Sequence, residues 1–271
     1  MRHSAGMRIP RFIVLEKERG QTPLEAIQIW KAAYPEFASL PASYAGRLDP
    51  MAEGKLLVLL GEECKRQSAY TKLDKEYVIE VLLGVGSDTG DVLGIVEAAA
   101  EPDRSRIQTA LAQERGTHRI PYPAFSSKTV NGKPLFLYTL EGIQDSITIP
   151  EHDETIYRIE LLKTRTYSTP ELNTLITTAL AVVPRSDAPS KALGADFRID
   201  AVRASWDPVL QGTRTYTVLT LRVACASGTY MRSVAQRLGT ALGTQGLALS
   251  IRRTRIGKRS SFLGRPYWRR L

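Results

Sequence analysis

Strand-like and helix-like segments follow one another along this chain without the regular strand–helix alternation of a parallel sheet. Apolar runs and apolar–polar alternation predict strands, and apolar residues spaced three and four apart predict helices. Strands are predicted at residues 12–15, 56–60, 77–83, 155–165, 215–226 and 249–256. Helices are predicted at residues 21–33, 103–114, 136–141, 170–183 and 230–242. This order predicts an α+β fold with a mixed, mostly antiparallel central sheet flanked by helices.

No linker divides the chain convincingly, so we predict a single domain over residues 1–271. Residues 120–134 contain three prolines and the pair Asn131-Gly132, which is a hairpin turn signal. Residues 168–195 are predicted to be an insertion between strands, and residues 184–195 within it to be a polar loop.

Positive charge is concentrated at the C-terminal end of the chain. The formal net charge is +9, and residues 221–271 contain eleven Lys or Arg and no Asp or Glu. Such a surface suits the phosphate backbone of a nucleic acid. A solvated basic tail, or a surface attracted to anionic lipid, would have the same composition. We predict a basic C-terminal tail at residues 252–271.

Several classes of protein are disfavoured by what the sequence lacks. No apolar run is long enough for a transmembrane helix or a secretory signal, so a cytoplasmic protein is expected. The two cysteines, Cys64 and Cys225, belong to no CxxC pair, and the three histidines complete no zinc-ligand spacing. We therefore expect two free thiols and no zinc site.

Residues 45–54 are the most informative segment for chemistry. Asp49 stands between a Gly-containing loop and Pro50, which removes a backbone donor and favours an extended Asp49. A carboxylate on such a loop, beside a buried strand, can serve as a nucleophile or as a base. Alternatively, Asp49 accepts turn hydrogen bonds, as aspartates before proline commonly do.

Five segments resemble, in order, the motifs of the TruB family of tRNA pseudouridine synthases. Residues 45–65, AGRLDPMAEGKLLVLLGEECK, resemble the family's GGTLDPLAEGVLLVLVGEATK. Residues 74–94 resemble DKxYxxxxxLGxxTDTxDxxG, and residues 122–142 resemble PPxYSAxKxxGxxLYExAxxG. Residues 225–232, CASGTYMR, resemble CSKGTYIR, and residues 251–257 resemble LRRTxxG. Five ordered matches are specific, where one alone would be weak.

The resemblance implies the pseudouridine synthase fold, with a thumb-like insertion at about residues 115–145 that clamps RNA. It also implies roles for four residues. Asp49 is the catalytic residue, Tyr77 stacks on the target base, Arg232 pairs with the aspartate, and Ile251 lines the uracil pocket. Taken alone, Tyr77 is more typical of a core strand aromatic, and Arg232 could be a surface charge at a helix start.

The activity implied by the resemblance is isomerisation of the T-loop uridine of tRNA, uridine-55, to pseudouridine. The base leaves its stack, the bond between ribose C1′ and uracil N1 breaks, and the uracil is reattached through C5. Whether Asp49 acts as nucleophile or as base stays open, and the implied reaction needs no cofactor and no metal. The implied partner is the T-stem loop of tRNA, and nothing in the sequence demands a membrane, an obligate protein partner or more than a monomer.

The sequence departs from the family at three places. Tyr44 stands where the family usually has a histidine that contacts RNA, and we assign Tyr44 to substrate binding because an aromatic ring can also stack. The opening KPxGxTS motif survives only as Lys17, Gly20 and Thr22. The chain ends soon after the last predicted strand, so we expect no PUA-type RNA-binding domain.

Two other functions compete with the tRNA modification. One is a non-catalytic RNA-binding or tRNA-folding protein on the same scaffold. The presence of Asp49, Tyr77 and Arg232 together argues against it, since pure binding does not need all three. The other is a synthase that acts on a different RNA, which the sequence discriminates poorly.

Overall fold

A nine-stranded sheet organises the protein in the computed structural model, which describes residues 9–182, 198–262 and 265–269. The main-sheet strands are β1 (Phe12–Lys17), β2 (Ala42–Ala45), β3 (Ala52–Leu60), β4 (Asp74–Leu83), β7 (Gly116–Pro121), β10 (Glu151–Ser168), β11 (Thr215–Cys225), β12 (Gly246–Phe262) and β13 (Arg265–Arg269). Two hairpins are separate, β5 (Val85–Ser87) with β6 (Val96–Ala98), and β8 (Thr129–Val130) with β9 (Lys133–Pro134).

Seven α-helices lie in the described ranges. They are α1 (Pro23–Ala33), α2 (Gln67–Thr71), α3 (Ile107–Gln113), α4 (Leu135–Leu140), α5 (Thr169–Ala181), α6 (Ile199–Val209) and α7 (Met231–Ala241). Helix α1 begins at a capping box, in which Thr22 and Glu25 satisfy each other's backbone N–H groups. The predicted polar loop at residues 184–195 falls outside the described residues.

The strand order is β1-β3-β12-β4-β11-β10-β7, with β2 beside β3 and β13 beside β12. Every pair is antiparallel except β12 with β3, which run parallel over three residue pairs. The predicted α+β class with a mixed, mostly antiparallel sheet is confirmed. At the parallel join, Gly54 has φ of +98°, and a Cβ there would lie 2.4 Å from the Arg253 carbonyl oxygen. A side chain would push β3 and β12 apart.

Both faces of the sheet are covered, because side chains alternate along each strand. On one face, Ile79, Val81 and Leu83 of β4 pack with α3 and α7. On the other face, Leu82 packs with α5 and α6 around the buried Trp206. A third cluster joins α1 to β3.

The sequence predictions lacked helices α2 and α6 and the short strands β2, β5, β6, β7 and β13, and they placed one segment differently. Helix α6 carries Ile199, Val202, Trp206 and Val209 on its buried face, and β13 pairs with the end of β12. The described part of the basic segment predicted as a tail lies in the β12–β13 hairpin. The predicted hairpin turn is confirmed, since Asn131 and Gly132 have φ of 49° and 80° between β8 and β9.

Candidate functional site

A cavity of about 200 Å³ lies where β3, β4 and β12 meet the first turn of α7. The chain between β7 and β8 closes one side of it through Ser126 and Ser127. Four of the five predicted site residues line this cavity: Asp49, Tyr77, Arg232 and Ile251. The other lining residues are Gly46, Arg47, Leu48, Ala52, Thr71, Lys75, Ser126, Ser127, Ala226, Gly228, Thr229, Tyr230, Met231 and Arg253.

Asp49 is presented to the cavity by a short loop between β2 and β3. Leu48 and Met51 on either side of it are buried, which fixes the loop against the core. The Asp49 carbonyl accepts a hydrogen bond of 2.9 Å from Ala52 N, and Pro50 O accepts one of 2.8 Å from Gly20 N. The carboxylate itself stays 39% exposed. The anchored neighbours thus hold one polar side chain towards the open space.

Arg232 lies in the first turn of α7 and faces two carboxylates. Its Nε is 3.1 Å from Asp49 Oδ2 and 3.7 Å from Asp91 Oδ2. Its other nitrogens donate to Thr89 O at 2.8 Å and Phe125 O at 3.0 Å. Burial disfavours this cation, but the two aspartates outweigh that effect and raise the Arg232 pKa. Arg232 therefore connects α7 to three other parts of the chain: the Asp49 loop, the turn at residues 89–91 and the segment around Phe125.

Asp91 is a buried carboxylate that the sequence analysis did not assign to the site. It accepts hydrogen bonds from Thr89 Oγ1 at 2.8 Å and from Leu93 N at 3.0 Å. Burial raises the Asp91 pKa, and Arg232 opposes that shift. It had two signals in the sequence: it falls on an Asp of the family motif that residues 74–94 resemble, and it lies in the turn-rich stretch 87–94, where an Asp is typical of a turn.

Tyr77 and Ile251 form apolar walls of the cavity. They lie on the neighbouring strands β4 and β12, where Tyr77 pairs with Arg253 and Ile251 pairs with Ile79 and, across the parallel join, with Ala52. Both side chains are buried. Burial raises the pKa of the Tyr77 phenol, which therefore stays neutral near pH 7.

Tyr44, the fifth predicted site residue, does not line the cavity. In β2 it packs against the cluster under α1, together with Ala42. Ala45, one residue later, faces the opposite side of the strand. This alternation turns the Tyr44 ring away from Asp49.

Arg253 is a second buried arginine of the site, and the sequence analysis gave it no role. Its guanidinium donates to Lys55 O at 2.7 Å, Gly46 O at 3.0 Å and Arg47 O at 3.4 Å. It thereby ties β12 to the loop that carries Asp49. Nothing in the sequence distinguishes it from Arg252 beside it, which is exposed and pairs with Glu53.

Two buried lysines lie near the same loop. Lys75 lines the cavity and donates to Thr71 O at 2.9 Å. Lys17 does not line it and donates to Ala52 O at 2.5 Å and Glu18 O at 2.9 Å. Burial lowers the pKa of each to about 8, with Arg253 adding to the shift of Lys75 and Asp49 opposing that of Lys17.

We expect Lys17 to make stability rise with pH between about 8 and 10.5. In that window the unfolded chain still binds the lysine proton, at an ordinary pKa of 10.5, while the folded protein has lost it. Below pH 8 both states are protonated and the effect is constant. Between pH 8 and 10, the free energy of unfolding of wild type should rise by about 2 kcal/mol more than that of Lys17→Met, as measured by urea unfolding. Lys72→Met, which removes an exposed lysine, should parallel wild type instead. If the free energies of unfolding of wild type and Lys17→Met changed with pH in parallel, the lowered pKa of Lys17 would be contradicted.

An aromatic cluster joins the segment after β7 to the turn before α7. The Tyr122 ring stacks on His152, with centroids 3.9 Å apart, and Tyr230 meets both rings edge-on. The buried Glu154 accepts a 2.8 Å hydrogen bond from Tyr230 N. Burial raises the pKa of Tyr230, which lines the cavity, to about 12. The predicted thumb-like insertion is therefore packed onto the cavity wall at its base.

The cysteines and the candidate ligand groups add little to this site. Cys64 and Cys225 are free thiols, as predicted, and burial raises the pKa of Cys225 to about 12. Among residues 9–182, 198–262 and 265–269, no three His, Cys, Asp or Glu side chains lie together as a metal site requires. None of the helices in those ranges is both long and apolar enough to cross a membrane.

Comparison with known proteins gives matches over most of the chain. The family model "TruB family pseudouridylate synthase (N terminal domain)" matches residues 38–178, more than half of the 271 residues. The tRNA pseudouridine synthase B of Shewanella denitrificans is 28% identical over 258 residues, which cover 94% of this chain and 64% of that protein. The protein of the same name from Aromatoleum aromaticum is 30% identical over 247 residues, which cover 90% and 62%. The chain thus spans slightly more than three fifths of the length of these relatives.

The fold also has a counterpart among solved structures. A chain in the crystal structure of a Cbf5-Nop10-Gar1 complex superposes with a TM-score of 0.54 at 19% sequence identity. The match covers 91% of this chain and 48% of that chain. At this level of identity the likeness concerns the fold alone.

Proposed function

The chain belongs to the TruB family of pseudouridylate synthases, and from this membership we propose that it converts a uridine of tRNA to pseudouridine. We further propose that the uridine is uridine-55, in the T loop. The observation that carries the proposal is the cavity in which the Asp49 carboxylate meets the buried Arg232.

Asp49 is assigned as the catalytic residue because it is held rigidly yet exposed to the cavity. Arg232 contacts Oδ2, so we assign Oδ1 to the reacting ribose or base. In one route the carboxylate adds to the substrate as a nucleophile. In the other it removes a proton from the ribose as a base. The same geometry serves either route.

Tyr77 and Ile251 are assigned to binding the target uracil. A uracil taken out of the RNA stack loses its neighbouring bases, and an aromatic ring can replace one of them. Tyr77 is suited to this because its aromatic ring lines the cavity and its phenol stays neutral. Ile251, on the adjacent strand, supplies the apolar surface beside it.

The proposed reaction is an isomerisation that balances without a cofactor. The bond between C1′ and N1 breaks, the uracil turns within the cavity, and a bond forms between C1′ and C5. The hydrogen on C5 leaves as a proton, and N1 gains one. Enclosure of the cavity by Ser126, Ser127 and the walls of β4 and β12 keeps the detached uracil next to the ribose.

The RNA surface is assigned to the segment around residues 115–145 and to the basic β12–β13 hairpin. The aromatic cluster of Tyr122, His152 and Tyr230 fixes the base of the first against the cavity. In the hairpin, Lys258 pairs directly with Arg269 across the strands. Like charges opposite one another favour an anionic partner such as an RNA backbone.

An unmodified tRNA transcript incubated with the protein tests this proposal. We expect one pseudouridine per tRNA, mapped to the T loop by carbodiimide labelling and primer extension. A transcript with cytidine at position 55 is the control and should remain unmodified. Modification at another uridine would keep the chemistry and change the target. Binding of the transcript without any pseudouridine would favour the non-catalytic RNA-binding alternative.

A further inference from the structure

Lys75 is a buried cation in the cavity wall with little to compensate its charge. It lies at the start of β4, two residues before Tyr77, and is only 5% exposed. Its Nζ donates to Thr71 O, and no carboxylate of the described residues lies within ion-pair distance. An ammonium group has three N–H donors, and the hydrogen bond to Thr71 O uses one of them.

The charges around Lys75 do not neutralise it. Arg253, which also lines the cavity, is positive and donates to three backbone carbonyls. Asp74, the residue before Lys75, opposes the lowering of the Lys75 pKa, but its carboxylate already accepts hydrogen bonds from Tyr157 and from Arg259 N. Arg47 is exposed at the same wall. Asp49 is already paired with Arg232. This side of the cavity therefore carries uncompensated positive charge.

Burying such a cation is unfavourable unless it gains a partner. The cost is visible in the Lys75 pKa of about 8, which still leaves the group mostly protonated at pH 7. A stable fold retains an unfavourable group of this kind when it meets a ligand there. The neutral uracil ring cannot offset the charge, whereas a phosphodiester carries one negative charge.

We propose that Lys75 binds a phosphate oxygen of the RNA strand at the nucleotide that enters the cavity. This inference rests on the proposed function, since it takes an RNA substrate as the ligand. In this arrangement Arg47 adds a second, exposed contact, and Thr71 holds the Lys75 ammonium by its carbonyl. The phosphate contact fixes the backbone while Tyr77 and Asp49 act on the base and sugar.

Salt dependence of RNA binding tests the proposal. Lys75→Met and Lys17→Met are each made in the Asp49→Asn background, so that the unmodified tRNA transcript is bound but not converted. Lys17 is the matched control because it is equally buried, with a similar pKa, but does not line the cavity. Lys75→Met should weaken binding by about tenfold. It should also reduce the slope of log affinity against log salt by about 0.7–0.9. Lys17→Met should leave that slope unchanged.

Thermal unfolding of the free proteins separates binding from folding. Lys75→Met should unfold at the same temperature as its parent or higher, because it removes an unpaired buried charge. An unchanged slope in Lys75→Met, an equal loss in Lys17→Met, or a parent that does not bind the transcript would each overturn the proposal. Turnover by wild type is measured separately. A changed slope without turnover would leave the phosphate contact in place and remove the proposed activity.

Discussion

Asp49→Asn is expected to lower pseudouridine formation by about 10⁴-fold or more. The amide keeps the size of the side chain, but it provides neither a nucleophilic oxygen anion nor a proton acceptor. Loss of a residue that takes part directly in bond making has effects of this order in other enzymes. Single-turnover formation of pseudouridine in an unmodified tRNA transcript measures the change.

Binding should survive the same substitution. Asp49 is one partially exposed group among many that would touch RNA, so tRNA affinity should stay within about threefold of wild type. Asp207→Asn, which changes an exposed aspartate of α6, should leave both turnover and binding unaltered. Turnover by Asp49→Asn within tenfold of wild type would remove Asp49 from the reaction.

Arg232→Met should destabilise the fold and abolish activity together. The substitution leaves the buried Asp91 without its cation and frees the Thr89 and Phe125 carbonyls. Removing one partner of a buried pair costs about 3–5 kcal/mol. For a protein of this size the melting temperature should then fall by roughly 10 °C. Calorimetry of the free protein measures that fall.

A double-mutant cycle identifies the cause of that loss. Asp91→Asn keeps an acceptor for Thr89 and Leu93 but removes the charge that Arg232 compensates. The double variant, Arg232→Met with Asp91→Asn, should therefore lose less free energy of unfolding than the two single variants lose together, by about 1–3 kcal/mol. Strict additivity would mean that the Arg232–Asp91 interaction contributes nothing to the fold.

Much of the architecture follows from hydrophobic pattern, and its omissions have physical causes. The strand at residues 56–60 is buried throughout and that at residues 77–83 mostly so, and apolar residues mark both clearly. Strand β10 continues to Ser168, beyond the predicted end at residue 165, because strand pairing with β11 holds its exposed end. Helix α6 was missed although its apolar spacing is regular, since Pro208 in its last turn is atypical of a helix.

The site was only partly predictable because contacts across the fold have no local signal. The resemblance implied that Arg232 pairs with Asp49, and the two side chains meet at 3.1 Å. By contrast, Asp91 and Arg253 act through carbonyls and charges that lie far away in sequence. Tyr44 was assigned by its position relative to Asp49, but strand alternation turns its ring towards α1.

Tritium release from an unmodified tRNA transcript labelled at uracil C5 tests the central claim most directly, because isomerisation frees that hydrogen. Wild type should release tritium equivalent to one uridine per tRNA, and Asp49→Ala should release none while still binding the transcript. No release by wild type from a transcript that it binds, or equal release by Asp49→Ala, would contradict the account.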